Sequence, residues 1–351
     1  MAFEDIRIAA GGVLYAGWKS VSVRAGKQLA ARTFDLTLTE VADGSPFARW
    51  PLFPGTPVEV LASGSLLVSG YVDVYAPSID AGMHDVQVSG RGRGADYVDC
   101  SPKHPTGRFD DKTVDQIARE LDRYGVGIRL LGPPGPPIPW FQIRRGSTCW
   151  AELMRLLPQR GLTTMGEADG SISLVKQPTG RHAGGLIEGR NIKAIAAELD
   201  GSERFSDYEV LGQSAFGTDD PQIKPHGRAI DPNVKRFRLR EAQAPTDVDP
   251  QRTQEMAETL KTRAAAWSTR ASVTVSGFRD GSGQLWEPNR TVFVHAPSLH
   301  LEQDMTIEEI EFRQEDGSGT TTTLSLVGPE YSFGAAPPHS GSDPVWRLSG
   351  R

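Results

Sequence analysis

The sequence predicts an α+β fold that is mainly β: two similar β-barrel domains flanking a small α/β domain. Three observations carry this. Runs of alternating apolar and polar residues fill the first hundred residues and recur after residue 207, which is the period of half-buried strands. Glycine (38) and proline (25) are abundant in 351 residues, which favours turns over long helices. Apolar spacing of the helical kind occurs at three places, two of them between residues 103 and 177. The length suits two or three domains at about 100–200 residues each.

The first barrel domain is expected over residues 1–102. Val21 and Val23 alternate with serines, and Phe34, Leu36 and Leu38 alternate with Asp35 and Thr37. After Pro/Gly punctuation at 51–57 come strand-like runs at 58–61, 66–75 and 84–89, the last two around a turn at Asp80-Ala81-Gly82. The α/β domain is expected over 103–178. Thr113 and Gln116 make a capping box for a helix reaching Tyr124, with Gly125 as its stop. A strand at 127–131 leads into the Pro-rich stretch 132–139, expected as a stiff extended loop. A second helix is expected over about 147–160, capped by Ser147, then a hairpin turning at Asp169-Gly170.

The second barrel domain, with one long helix, is expected over 179–334. Asp249 caps that helix, Pro250 opens it, and Met256, Leu260, Ala264 and Trp267 form its expected buried stripe. Strands are expected at 207–213, 235–240, 272–278, 291–295, 305–312 and 320–327. The alternation slips between Ile307 and Ile310, which predicts a β-bulge. Residues 335–351 read as an extended C-terminal tail. The two β regions look duplicated: Pro54-Gly-Thr-Pro-Val-Glu-Val60 parallels Pro288-Asn-Arg-Thr-Val-Phe-Val294, and a long hairpin ending in a small Gly motif follows each.

Composition and motifs exclude most function classes. The formal charge is −6, which argues against a protein that grips nucleic-acid backbones. No run is apolar enough for a membrane span, and the N-terminus lacks a signal-peptide pattern. Cys100 and Cys149 have no metal spacing and read as inert packed thiols. There is no Gly-x-Ser-x-Gly, Walker or His-Glu-x-x-His motif, so no enzyme, cofactor or metal site is expected. Gly90-Arg-Gly-Arg-Gly-Ala95 fits a loose dinucleotide pattern, but the prolines at 102 and 105 leave no room for the helix such a site needs. It reads instead as a flexible corner whose Arg91 and Arg93 reach a neighbouring subunit. Most tryptophans, Trp140 included, read as core or strand-edge packing. Trp346, in the polar tail, is the candidate partner anchor.

Certain runs resemble the baseplate hub family of contractile-tailed, Mu-like phages and, more distantly, late-control-D hubs. They are Pro54–Val60, Ser69-Gly-Tyr-Val-Asp73, the segment 86–101, Phe141–Ser147, Gly283-Gln-Leu-Trp-Glu-Pro-Asn289 and the final hairpin 319–329. The resemblance spans roughly residues 1–333. It implies a homotrimeric ring in which two like barrels per chain present six similar surfaces to a hexameric tail tube, while the threefold face seats a trimeric central spike. The implied partners are the tail tube or distal tail protein, the central spike, the baseplate wedges and the tape measure protein. Genomic DNA would be met only in transit, and there would be no membrane insertion. The chain carries no fused spike, so a separate spike chain is expected. The implied location is the virion tail baseplate, assembled in the host cytoplasm. The alternative from another class is a carbohydrate-binding β module of a host-recognition device.

Overall fold

The alternating segments become strands that are shared between the two ends of the chain. The computed structural model describes residues 4–39, 52–80, 83–213, 223–244 and 248–328. The N-terminal region holds β1 (Ile6–Ala10), β2 (Val13–Tyr15), β3 (Ser20–Gly26), β4 (Thr33–Thr39), β5 (Pro57–Ala62), β6 (Ser65–Asp80) and β7 (Met83–Gly92). Phe34, Leu36 and Leu38 are buried while Asp35 faces solvent, as the alternation requires. β6 and β7 form a long hairpin closed by the Asp80–Met83 pair; Ala81 and Gly82 of the expected turn lie outside the described residues.

Helix α1 (Ala95–Asp99) leads to the middle region: β8 (Arg108–Lys112), α2 (Val114–Leu121), β9 (Ile128–Leu131), β10 (Ile138–Gln142), α3 (Cys149–Leu153), β11 (Thr163–Gly166) and β12 (Ile172–Val175). The capping box of Thr113 and Gln116 starts α2. The helix stops short of the expected Tyr124. The Asp122 carboxylate accepts the N–H groups of Tyr124, Val126 and Gly127, and this offers the backbone an alternative to another helical turn. α3 is also shorter than expected, and its cap is Thr148 rather than Ser147. Beyond it the chain tightens into a 3₁₀ turn at Pro158–Arg160, where Pro158 has no N–H to continue the ladder. The Pro-rich stretch is not all loop: Ile138 and Pro139 begin β10, which pairs with β8 as a two-stranded ribbon. Tyr97, Phe109, Ile117, Leu121, Phe141 and Leu174 are among the residues of this region's own core.

The C-terminal region holds β13 (Leu186–Ile187), β14 (Ile192–Leu199), β15 (Asp207–Leu211), β16 (His226–Ile230), β17 (Leu239–Gln243), α4 (Pro250–Trp267), β18 (Thr269–Ser276), β19 (Thr291–Ala296), β20 (Leu301–Glu315) and β21 (Gly319–Val327). The strand expected at 235–240 sits instead at Leu239–Gln243. Asp249 caps α4 by accepting the Arg252 N–H at 2.8 Å, with Pro250 at its start. Three residues of the expected α4 stripe, Met256, Leu260 and Ala264, are half-buried against the small sheet's core, but the fully buried positions beside them are Thr253, Ala257, Ala265 and Ala266, and Trp267 is exposed. Small residues are needed because the β16 backbone comes close. A Cβ on Gly227 would lie 2.1 Å from the Thr253 carbonyl. α4 covers one face of a separate three-stranded sheet ordered β16-β15-β17.

The remaining strands join one 13-stranded sheet in the order β14-β18-β21-β20-β3-β4-β7-β6-β5-β1-β2, with β19 beside β20 and β13 beside β19. β20 and β3 pair antiparallel from Glu309–Gly26 to Glu315–Ser20, so both β regions share one core. No barrel closes among the described residues, and the expected pair of barrels takes the form of two lobes of one sheet. The reason is local: past its bulge, β20 has a free edge, and β3 fills it. The bulge lies between Ile307 and Glu309, within the predicted slip. The lobes repeat one plan. β3-β4-β7-β6-β5 and β14-β18-β21-β20-β19 have the same spatial order and the same order along the chain. β6 carries a matching bulge between Val72 and Val74. The proline-led runs noted above lead into β5 and β19, which hold corresponding places.

Candidate assembly surfaces

The Gly90–Ala95 segment is a packed corner rather than a flexible one. A Cβ on Gly90 would lie 2.1 Å from the Tyr71 carbonyl and 2.4 Å from the Phe34 ring, and one on Gly94 would lie 2.2 Å from the Ala30 carbonyl. The glycines let β4, β6, β7 and the middle region approach closely. Arg91 and Arg93 leave this corner in different directions. Arg91 Nε donates to Asp73 at 2.6 Å and its Nη2 to Asp99 at 2.8 Å, and these bonds hold its proton more firmly than usual. Arg93 donates to the Gly125 carbonyl at 3.0 Å. Both are thus engaged within the chain; Trp346 lies outside the described residues.

One buried charge fastens the middle region to the sheet, and a buried ion pair lies at the same junction. Arg32 donates to the Gly166 and Leu67 carbonyls at 3.0 and 2.9 Å, and burial lowers its pKa. Lys27 meets Glu308, the extra residue of the β20 bulge, at 3.9 Å. Burial pushes Lys27 down to about 8 and Glu308 up. The bulge is what turns Glu308 towards Lys27, where β3, β11 and α4 meet. Sequence reading missed both residues, since lysine and arginine normally signal surface.

One arrangement has the outline of a catalytic dyad. His182 Nδ1 lies 2.9 Å from the Asp280 carboxylate, and both side chains are fully buried. Nε2, however, accepts the Glu287 backbone N–H at 3.0 Å, so no nucleophile occupies the third position. Asp280 also accepts from Ser282 and the Ala183 N–H. Burial opposes its charge, but these bonds outweigh it and its pKa falls below the ordinary range. The pair acts as a clamp holding 182–183 against 280–287. Among the described residues no group of three or more His, Cys, Asp or Glu could hold a metal. Cys149 is buried, donates towards the Leu121 carbonyl, and is pushed up to about 12 by burial; Cys100 is likewise a free thiol.

What the fold offers outward is edges and isolated rings. Trp140 is 65% exposed on the β8–β10 ribbon, not packed as expected. Alternation explains it: Phe141 takes the inward position against Phe109. Leu199 on β14 and Val13 and Leu14 on β2 are exposed at the two ends of the large sheet. A cavity of about 480 Å³ between α4 and the small sheet is lined by Phe205, Tyr208, Trp267, Arg240, Arg263 and Arg270, among others. No described helix is long and apolar enough to cross a membrane.

Comparison with solved structures places this architecture. The 43 kDa tail protein of prophage MuSo2 from Shewanella oneidensis is similar with a TM-score of 0.83 and 27% identity, covering 94% of this chain and 99% of that one. A tail protein from Neisseria meningitidis matches with a TM-score of 0.77 and 21% identity, covering 93% and 97%. The E. coli c3393 protein, a type VI secretion component described as similar to T4 tail proteins gp27 and gp5, shares the fold at a TM-score of 0.58 and 11% identity, covering 94% and 80%. The likeness to the prophage tail protein along almost the whole of both chains defines the class: a structural protein of phage tails.

The family follows from the sequence matches. Residues 5–92 match the family described as Mu phage baseplate assembly protein GpP-like, N-terminal; 94–176 match baseplate hub protein gp44-like, second domain; 249–334 match Mu phage baseplate assembly protein GpP, fourth domain. Baseplate hub protein gp44 of Escherichia phage Mu is 27% identical over 339 residues, covering 93% of this chain and 88% of that protein. The chain belongs to the phage baseplate hub family.

Proposed function

We propose that this chain forms a homotrimeric ring that joins the hexameric tail tube to the trimeric central spike and lets DNA pass through its lumen. The observation that carries this reading is the repeated plan of the sheet, two lobes of identical strand order in one chain. Three chains then offer six similar surfaces to a sixfold partner and three identical ones to a threefold partner, the simplest way to match the two symmetries. The N-terminal and C-terminal lobes would face the tube. The middle region and the small sheet, each with its own core, would lie outside and meet wedge components. Arg91, Arg93 and Trp346 remain proposed contacts with neighbours. The net charge of −6 suits a lumen that does not retain phosphates. Among the described residues the exposed aromatics Phe53, Tyr124, Trp140, Phe237 and Trp267 lie on separate segments of the chain rather than in a row on one strand, which favours assembly over carbohydrate binding. Native mass measurement tests the ring: a trimer is expected, and a strict monomer, both alone and with a tube-protein hexamer, would overturn it.

A further inference from the structure

The repeat leaves one junction made and its counterpart open. Past its bulge, β20 pairs with β21 on one edge and with β3 on the other. In the shared plan β6 holds the place of β20, and β14 holds the place of β3. Aligning the two bulges puts Val74 in the position of Glu309. Following the ladders across β7, β4, β21 and β18 then puts Ala197 in the position of Val23 and Ala196 in that of Ser22. Val74–Asp80 of β6 pairs with β7 on one edge, and no described strand occupies the other. β14 likewise pairs with β18 alone among the described residues.

Burial follows the same division. At the made junction the inward row is Val21, Val23 and Ala25 against Ile310 and Phe312, none more than 3% exposed. Their counterparts are Ile195, Ala197 and Leu199 against Tyr75 and Pro77, also without charge. These are half-buried or exposed, and Leu199 reaches 63%. An apolar row along an unpaired strand edge is a template for another chain. The edge of β14 also continues a sheet that already contains the same contact once.

We infer that β14 of one copy pairs antiparallel with Val74–Asp80 of β6 in a second copy, repeating between chains the β3–β20 ladder within each. This rests on the trimeric reading and specifies its contact. The register follows from the intrachain one: Val23–Phe312 becomes Ala197–Pro77, and Ser22–Arg313 becomes Ala196–Ser78. The contact is head-to-tail, because each copy gives one edge and receives at the other. Such contacts close into a ring when the rotation between copies permits it. Pro77 has no N–H, so this ladder has one donor fewer than its intrachain model.

The test is a disulfide trap. Ser78→Cys and Ala196→Cys are combined in a Cys100→Ser background, and both positions are exposed in the isolated chain. Directly opposed residues lie about 4.5–5.5 Å apart between Cα atoms, within disulfide reach. On oxidation the double variant should give covalent species of two and three chains and no higher, while either single variant gives neither. Equal thermal midpoints for the reduced double variant and the parent establish that folding is intact. A trimer by native mass that yields no covalent species overturns the inferred edges and leaves the trimer standing. A monomer at high concentration overturns both. A ladder extending beyond three chains overturns closure.

Discussion

Gly90→Ala tests whether the glycine-rich corner is a close-packed joint. Its methyl carbon would meet the Tyr71 carbonyl oxygen at 2.1 Å and Phe34 Cζ at 2.4 Å, where ordinary contact begins at 3.4 Å. The carbonyl belongs to β6, whose Tyr71 is paired to Arg91 on one side and Pro57 on the other, so it cannot retreat without disturbing two ladders. Overpacking of this kind costs about 1–3 kcal/mol. Because the obstruction is backbone, the upper end is expected, about 3 kcal/mol, offset by the ~0.4–1 kcal/mol gained when alanine restricts the unfolded chain. Gly317→Ala is the matched control: a Cβ there meets nothing within 4 Å and the backbone is not left-handed, so a change within about 0.5 kcal/mol is expected. Urea unfolding followed by tryptophan fluorescence gives both midpoints. If the two variants unfold at the same urea concentration, the corner is loose and the close-packing argument fails.

Three other outcomes follow from the buried polar groups. Lys27 is pushed down to about 8 in the fold against 10.5 unfolded, so between those values the unfolded chain binds more protons. Stability relative to the double variant K27M/E308Q should therefore rise from pH 8 to pH 10; a difference that does not change with pH refutes it. Asp280 is held below its ordinary 3.8, so its stabilisation is complete above that value and lost as pH falls through the lower native one. Asp280→Asn should cost about 1.5–3 kcal/mol at neutral pH, with the gap to wild type closing in acid and Trp286, 4.8 Å from His182, reporting the change in fluorescence. Arg32→Met leaves the Gly166 and Leu67 carbonyls without that donor, at about 1–3 kcal/mol each. Amide exchange in β11 and β12 should accelerate before exchange in β20 and β21, and uniform acceleration would count against a local fastening.

How far the sequence disclosed this structure depended on how local the cause was. The capping box at Thr113, the Asp249-Pro250 start of α4 and the bulge near Ile307 were legible because each is decided by a few neighbouring residues. The proline-led repeat was legible because two copies of one pattern lie in a single chain. The shared sheet was not legible. Val23 alternates alike whether its partner strand is ten residues away or nearly three hundred, and nothing in that run names Phe312 as its neighbour. The stripe of α4 was legible in part: Met256, Leu260 and Ala264 pack against the small sheet, but helical spacing marks a face by size and passed over the small residues buried deepest, where Gly227 comes against Thr253. Lys27, Arg32 and Glu308 were invisible as joints for a related reason. Their partners are backbone carbonyls or one another, brought together by three separate elements.

The β3–β20 ladder also sets a timetable for synthesis. Ser22 and Glu311, hydrogen-bonded across it, are 289 residues apart. While the ribosome makes the middle of the chain, β3 has its hairpin partner β4 but an unsatisfied outer edge lined by Val21, Val23 and Ala25. Closing a contact so remote along the chain is entropically slow. A nascent hub therefore spends most of its translation with an apolar strand edge on offer, the condition under which chains stick to their neighbours. A destabilised C-terminal lobe would then appear first as lost yield of soluble protein rather than as a fault in baseplate assembly.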